Sequence, residues 1–236
     1  MISVIIPVHN GERNIAETIL YTVEYFVSRK DSFEIIVVDD CSSDDTFIEL
    51  ENLKQSVHIK IIRKVVWQGK GAALKTGVKN AQGDYILFMD GDLQIVPDEL
   101  DTFFKIMELY NASVVIGNKR HSYSNTQYSL ARWIVSNGYY FITRVLFGIP
   151  LRDTQCGFKL FKTSVIKNVI NKLLVKQFAF DLELIVALKE ANVRIADAPV
   201  YVSQPMGTGS VTFYNIINTL KDTLAVWHRK NMGWYK

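Results

Sequence analysis

The sequence predicts an α/β protein: a mainly parallel central sheet with helices on both faces, ending in an amphipathic helix. Three observations carry this. Short apolar, β-branched runs show no in–out alternation, as strands buried on both faces do. Helix-period segments separate those runs, the spacing of βαβ units. The chain has 236 residues and is 48% hydrophobic, enough for one core of generous size.

The elements follow in order. "ISVIIPV" (2–8) reads as a buried strand. The helix after it, 14–28, aligns Ile15, Ile19, Thr22, Val23 and Phe26 on one face. "FEIIVVDD" (33–40) is a second strand, and Ser42 or Ser43 is suited to cap a helix running to Leu53. "HIKIIRKVV" (58–66) is a third strand, followed by a glycine-opened helix over 69–81. "DYILFMD" (84–90) is a fourth strand. Pro97 and the acids behind it open a helix over 97–110, and "ASVVIGN" (112–118) is a fifth strand. The rhythm then changes. Residues 127–147 make one long helix or two joined near Gly138. "RDTQCGFKLF" (152–161) is a loop entering a short strand. Helices near 163–171 and 178–191, a strand at 194–202 and a helix over 212–230 complete the chain.

Charge divides the molecule. Residues 1–100 hold 10 Lys and Arg against 16 Asp and Glu, a net of −6. Residues 101–236 hold 17 against 8, a net of +9. The basic half suits phosphates or an anionic membrane, or is simply an uneven solvated surface. Cys41 and Cys156 stand far apart outside any CxxC spacing, so neither a disulfide framework nor a zinc site is expected. The N-terminus lacks the basic region and apolar core of a signal peptide. The greasiest stretch, "WIVSNGYYFITRVLFGIPL", is broken by Ser136, Asn137, Gly138 and Arg144, so no transmembrane segment is expected. The expectation is a cytoplasmic protein, peripheral on the cytoplasmic face of a membrane. A nucleic-acid partner is not expected.

In an open α/β sheet, ligands sit off the carboxyl ends of the strands. Strand one delivers Pro7, His9, Gly11 and Glu12 there, and strand two delivers Asp39 and Asp40. Strand three leads to Lys70 between two glycines. Strand four delivers Asp90, Gly91, Asp92 and Gln94, and strand five delivers Lys119 and Arg120. Two carboxylates as close as Asp90 and Asp92 repel each other. A divalent Mg²⁺ or Mn²⁺ resolves that repulsion and bridges to a diphosphate, with Gln94 adding a neutral oxygen. Asp40 suits a nucleobase or ribose, and the alternative is helix N-terminal charge, which Asp44 and Asp45 already supply. "GKGAALKTG" lacks the P-loop spacing, although Lys70 still suits an anion. On the 127–147 helix, Ser129, Arg132, Ser136, Tyr140 and Thr143 fall near one polar stripe. That stripe fits a lipid with a phosphate head, or a core helix with one wet face. Arg120 and Arg132 are the candidates for a bidentate hold on that phosphate.

"VIIPVHNGERNI", "IIVVDDCSSDDT", "GKGAALKTG" and "FMDGDLQ", in this order, resemble family 2 glycosyltransferases of the GT-A fold. "RDTQCGFKLF" and "FDLEL" resemble the branch that transfers sugars to dolichyl or other polyprenyl phosphates. The resemblance runs from residue 2 to about 203. It implies a single GT-A domain over 1–236, with a nucleotide-sugar lobe at 1–120 and an acceptor lobe at 121–236. It implies inverting transfer of a hexose from a nucleotide-diphosphate sugar to the phosphate of a membrane polyprenol, supplying lipid-linked sugar for glycosylation. Pro7, His9, Glu12, Asp39 and Asp40 then hold base and ribose, with Lys70 and Gly91 also on the donor. Asp90, Asp92 and Gln94 hold the metal, and Arg120, Arg132 and Ser136 hold the acceptor phosphate. Asp92, Arg120 and Asp153 are the catalytic candidates, Asp153 standing open between base, orienter and loop staple. "DLQ" leans towards mannosyl transfer and "DTQCGFKLF" towards glucosyl transfer, so GDP-mannose and UDP-glucose both stand as donors. The rival readings are a family 2 transferase acting on a soluble or cell-surface glycan, and an inactive scaffold subunit. The latter is disfavoured because both carboxylates of the DxD are present. The last helix has two readings: it lies in a membrane interface, or it packs on the sheet.

Overall fold

The computed structural model describes residues 1–124, 130–177, 179–202 and 213–236, with 130–134 and 213–214 described by backbone alone. The order of elements is β1 (Ile2–Val8), α1 (Ile15–Arg29), β2 (Phe33–Asp39), α2 (Thr46–Leu53), β3 (Lys60–Arg63), α3 (Lys70–Asn80) and β4 (Tyr85–Phe88). A 3-10 turn, Pro97–Glu99, leads into α4 (Leu100–Leu109) and β5 (Val114–Asn118). Then come α5 (Leu130–Phe147), β6 (Lys159–Lys162), α6 (Thr163–Ile170), α7 (Phe180–Glu190), β7 (Ile195–Pro199) and α8 (Phe213–Asn231).

The seven strands form one sheet in the order β3-β2-β1-β4-β6-β5-β7. β1 runs parallel to β2 and β4, β2 to β3, and β5 to β7. β6 alone among them is antiparallel to its neighbours, β4 and β5. It brings a strand from the second half of the chain between two from the first. Its entry loop therefore reaches the sheet edge where β4 and β5 end.

Both faces are covered, as the lack of alternation demands. Ile5, Ile36, Val38, Phe88 and Ile116 face α3, α6 and α7. Val4, Ile6, Ile35, Leu87 and Val115 face α1, α2 and α4, against Ile15, Ile19, Phe26, Leu50 and Phe103. Each such fully buried aliphatic contributes about 1.5–3 kcal/mol.

Two local expectations change and one choice is decided. Neither Ser42 nor Ser43 caps α2: the Asn10 N–H donates to Ser42 Oγ, and Asp44 takes the Thr46 N–H, so the helix starts at Thr46. α5 is one helix through Gly138, where a side chain would meet nothing within 4 Å. The polar stripe on α5 divides: Thr143 is buried and Tyr140 Oη accepts from Arg144 at 3.0 Å, while Ser129 lies outside the described residues.

α8 packs on the domain, with Ile216, Ile217 and Leu220 half-buried. Thr223 and Val226 are buried, and Tyr139 Oη meets Thr223 Oγ1 at 3.2 Å. Glu183, fully buried on α7, accepts from Arg229 at 2.8 Å and Tyr235 at 2.7 Å. Leu224 and Trp227 stay exposed. Among the described residues, no helix is long and apolar enough to cross a membrane.

Candidate active site

The loops after β1 and β2 are laced together residue by residue. His9 Nδ1 donates to the Asp40 carbonyl at 3.0 Å, and the Gly11 N–H donates to Thr46 Oγ1 at 2.8 Å. Ser43 N–H donates to Asn10 Oδ1 at 2.9 Å, and Asp45 N–H to Glu12 Oε2 at 3.1 Å. Asn10 and Cys41 take positive φ, +54° and +64°, to make these reversals. Pro7, half-buried in β1, precedes the loop. His9 faces the exposed indole of Trp67, ring centroids 6.0 Å apart.

Asp39 and Asp40 are both buried. Asp39 accepts the Ser42 N–H at 2.9 Å; its second oxygen has no hydrogen-bond partner, and Arg63 Nε lies 3.4 Å away. Asp40 uses both oxygens on the chain itself. Lys64 Nζ donates at 2.8 Å, and the N–H groups of Gln68 and Gly69 donate at 3.1 and 2.5 Å. The Asp40 carboxylate thus fixes the 64–69 loop. Gly69 ends that loop at φ +98°, where a Cβ would also strike the Lys176 carbonyl.

Lys70 opens α3 and pairs with Asp90, both side chains about a third exposed. Enclosure works against both charges, but each outweighs it for the other. Asp90, with Asp181 behind it, holds Lys70 protonated above the ordinary lysine range, and Lys70 holds Asp90 below the usual carboxylate range. Asp92 moves the other way: burial raises its pKa, and Asp90 adds to the rise. Leu93 turns the chain at φ +51°, a costly conformation for leucine, of about 1 kcal/mol. That turn lets the Gln94 N–H reach back to Asp92 Oδ1 at 3.2 Å. The Gln94 side-chain oxygen accepts from Lys119 Nζ at 3.3 Å. A Cβ at Gly91 would lie 3.3 Å from Ile15 Cδ1 and 3.5 Å from Ile6 Cγ2.

These residues fit a divalent cation of the kind that takes one or two carboxylates and completes its shell with substrate phosphates and water. No cluster of three acidic, histidine or cysteine ligands exists among the described residues. Asp92 makes no ion pair among the described residues, whereas Lys70 is engaged with Asp90. Mg²⁺ and Mn²⁺ both suit such an oxygen set.

Across the edge, Asp153 staples rather than reaches outward. Its oxygens accept the N–H groups of Lys119, Gln155 and Cys156 at 3.0–3.1 Å. Neither Arg152 nor Lys159 is among its partners. Arg120 lines an open pocket of about 290 Å³ with Asn118, His121, Arg152 and Asp197. Ser136 is half-buried on α5; the Arg132 side chain lies outside the described residues.

Residues 3–170 match the sequence profile of glycosyl transferase family 2. The chain belongs to that family. This glycosyltransferase is 27% identical over 252 residues to a dolichyl-phosphate beta-glucosyltransferase of Dictyostelium discoideum, covering 100% of this chain and 76% of the relative. The Homo sapiens protein of the same name is 28% identical, covering 95% of this chain and 74% of its own length. Among solved structures, glucosyl-3-phosphoglycerate synthase of Mycobacterium tuberculosis with UDP superposes with a TM-score of 0.70 at 18% identity, over 96% of this chain and 78% of its own. Its complex with Mn²⁺, UDP-glucose and phosphoglyceric acid gives 0.71 at 17%, over 97% and 80%. The fold is therefore the GT-A type anticipated.

Two features of the glycosyltransferase escaped the sequence reading. Lys159 is buried and donates to Asp181 at 2.7 Å and to the Cys156 carbonyl. That contact seats Gly157 against Asp90, where a Cβ would lie 1.9 Å from Oδ2. A lysine inside "GFKLF" and an aspartate inside "FDLEL" were a signal, because buried charges need partners. Trp67 was the other omission; its apolar neighbours Val65 and Val66, all exposed, marked it.

Proposed function

We propose that this chain transfers glucose, with inversion, from UDP-glucose to the phosphate of dolichyl or another polyprenyl phosphate. The observation that carries the reading is the state of Asp153. A sugar-hydroxyl acceptor needs a base to take its proton. Asp153 is held by three backbone N–H groups of its own chain. A phosphate monoester has a second pKa near 6, is ionised at neutral pH, and needs no base. The names of the relatives that span the chain support the same acceptor and favour glucose over mannose.

The roles follow from position. His9, Pro7, Glu12 and Asp39 surround the base and ribose, with Trp67 across from His9. Asp40 holds the 64–69 loop in place for them. Asp92, with Asp90 and Gln94, would hold Mg²⁺ or Mn²⁺. Such an ion neutralises charge on the departing diphosphate. Lys70 keeps Asp90 ionised and stands at a helix N-terminus, itself favourable to anions. Arg120, Arg132 and Ser136 receive the acceptor phosphate. The acceptor's lipid tail implies a peripheral seat on the cytoplasmic face of a membrane. Val135, Phe141 and Val145 on α5, and Leu224 and Trp227 on α8, are exposed and suit that seat.

The test is to incubate the protein with Mn²⁺ or Mg²⁺, UDP-glucose or GDP-mannose, and a short polyprenyl phosphate. Glucosyl-lipid formed from UDP-glucose is expected. No nucleotide release with either donor would sink the activity, and faster release from GDP-mannose would sink the choice of sugar. Flotation with anionic liposomes, lost in Phe141→Asp, tests the membrane seat.

A further inference from the structure

Arg152 has no role in the donor site and is not paired with Asp153 beside it. It is exposed, and it lines the pocket after β5 with Arg120. Neither guanidinium makes a hydrogen bond or ion pair with another described residue. The chain nevertheless builds their meeting. Asp153 Oδ2 accepts the Lys119 N–H at 3.1 Å, so the residue before Asp153 and the residue after Lys119 are held side by side. Asn118 fixes the other side: its Oδ1 accepts the Arg120 N–H at 2.9 Å. Its Nδ2 donates to Asp197 at 2.6 Å, which occupies an oxygen of the one carboxylate in the pocket wall. His121 adds a further donor. The balance of formal charge is two guanidinium cations against one hydrogen-bonded carboxylate.

Such a pocket takes an anion. At about 290 Å³ it lies at the lower limit of small-ligand sites, roughly 300–1,000 Å³, and suits a phosphate head rather than a whole nucleotide. Lys119, next to Arg120, already touches Gln94 beside the acidic turn, so the pocket borders the place of transfer. We infer that Arg152 joins Arg120 as a second guanidinium gripping the phosphomonoester of the acceptor, and that Asp153 is the clasp that sets the pair. This rests on the acceptor being a phosphate. Planar guanidinium forks bind phosphate in a bidentate fashion, which lysine does not.

The experiment compares wild type, Arg152→Ala and Arg152→Lys by two readouts. One is the KM for each substrate. The other is direct binding of inorganic phosphate, glycerol 3-phosphate and a short polyprenyl phosphate in the presence of UDP, followed by ³¹P NMR. In Arg152→Ala the acceptor KM should rise roughly 10- to 100-fold with the UDP-glucose KM unchanged, and Arg152→Lys should recover part of the loss. Arg152-dependent binding of the polyprenyl phosphate alone identifies a lipid headgroup; equal binding of glycerol 3-phosphate identifies a soluble phosphomonoester. Binding that ignores the substitution overturns the assignment. If Arg152→Ala fails to fold, phenylglyoxal labelling of Arg152 in wild type replaces it, and the absence of protection by any of the three phosphates overturns the clamp. Sugar transfer undiminished in Arg152→Ala removes the clamp and leaves the proposed activity standing. Arg152-dependent phosphate binding without any sugar transfer does the reverse.

Discussion

At the edge proposed to hold the donor, Asp40 commits both oxygens to Lys64, Gln68 and Gly69, and the loops after β1 and β2 satisfy each other. At the edge proposed to receive the acceptor, Asp153 and Asn118 tie down the backbone beside Arg120 and Arg152 but leave both guanidinium groups without a described partner. The two edges solve opposite problems. Acidic side chains near an anionic donor must be neutralised internally or by a cation. Basic side chains awaiting an anionic acceptor do best unpaired, because any internal carboxylate would compete with the substrate. Asp92 is the exception at the first edge: burial and the neighbouring Asp90 raise its pKa, whereas Lys70 holds that of Asp90 down.

Substitutions can break or sharpen that contrast. The largest effect is expected for Asp92→Asn: a roughly 10³-fold fall in nucleotide release, with the fold intact by circular dichroism. Near-normal release in that variant would remove Asp92 from the chemistry. Next comes Lys159→Met, at the seam where the β6 entry loop meets Asp90. It strands Asp181 in the interior, and denaturant unfolding should show a loss of about 3–5 kcal/mol. A double variant, Lys159→Met with Asp181→Leu, should recover most of the stability.

Asp40→Asn tests the closed edge. Weakening bonds to a charged acceptor costs about 1.5–3 kcal/mol, and both the unfolding midpoint and the donor KM should suffer. Arg120→Ala tests the open edge. Its unfolding free energy should stay within about 0.5 kcal/mol of wild type while the acceptor KM rises. A large stability loss there would abolish the contrast. The smallest effect concerns Cys156, buried beneath the acceptor loop, whose thiol burial pushes up from 9.0 to about 12. A raised folded pKa contributes stability that is full below the unfolded value and is lost as pH rises through the folded one. Near neutral pH the thiol is protonated folded or unfolded and its titration makes no difference, but between pH 9 and about 12 wild type should lose stability that Cys156→Ala keeps. Iodoacetamide should leave Cys156 unmodified in the native protein at pH 8 and label it in denaturant.

The sheet, its covered faces and the edge where polar groups gather follow from the chain alone. Apolar runs without alternation specify strands buried on both sides, and a run ending in "MDGD" can end only at a solvent edge, because two adjacent carboxylates cannot be buried unpaired. That is why residue types in order place Asp90, Asp92, Lys70 and Arg120 at that edge. Other features came from contacts between distant residues, which local periodicity does not encode. The antiparallel course of β6 is one, since four residues of "KLFK" read alike in either direction. The partners of Asp40 and Asp153 are another, because a carboxylate looks the same in sequence whether it faces a ligand or three backbone N–H groups. The seat of α8 is a third, since Arg229 and Tyr235 meet Glu183 of α7 across a long stretch of chain. Sequence order determined which groups reach the edge. Only the sheet order, which brings residue 119 to residue 153 and Gly157 to Asp90, decided which of them are already spoken for and which are left to bind.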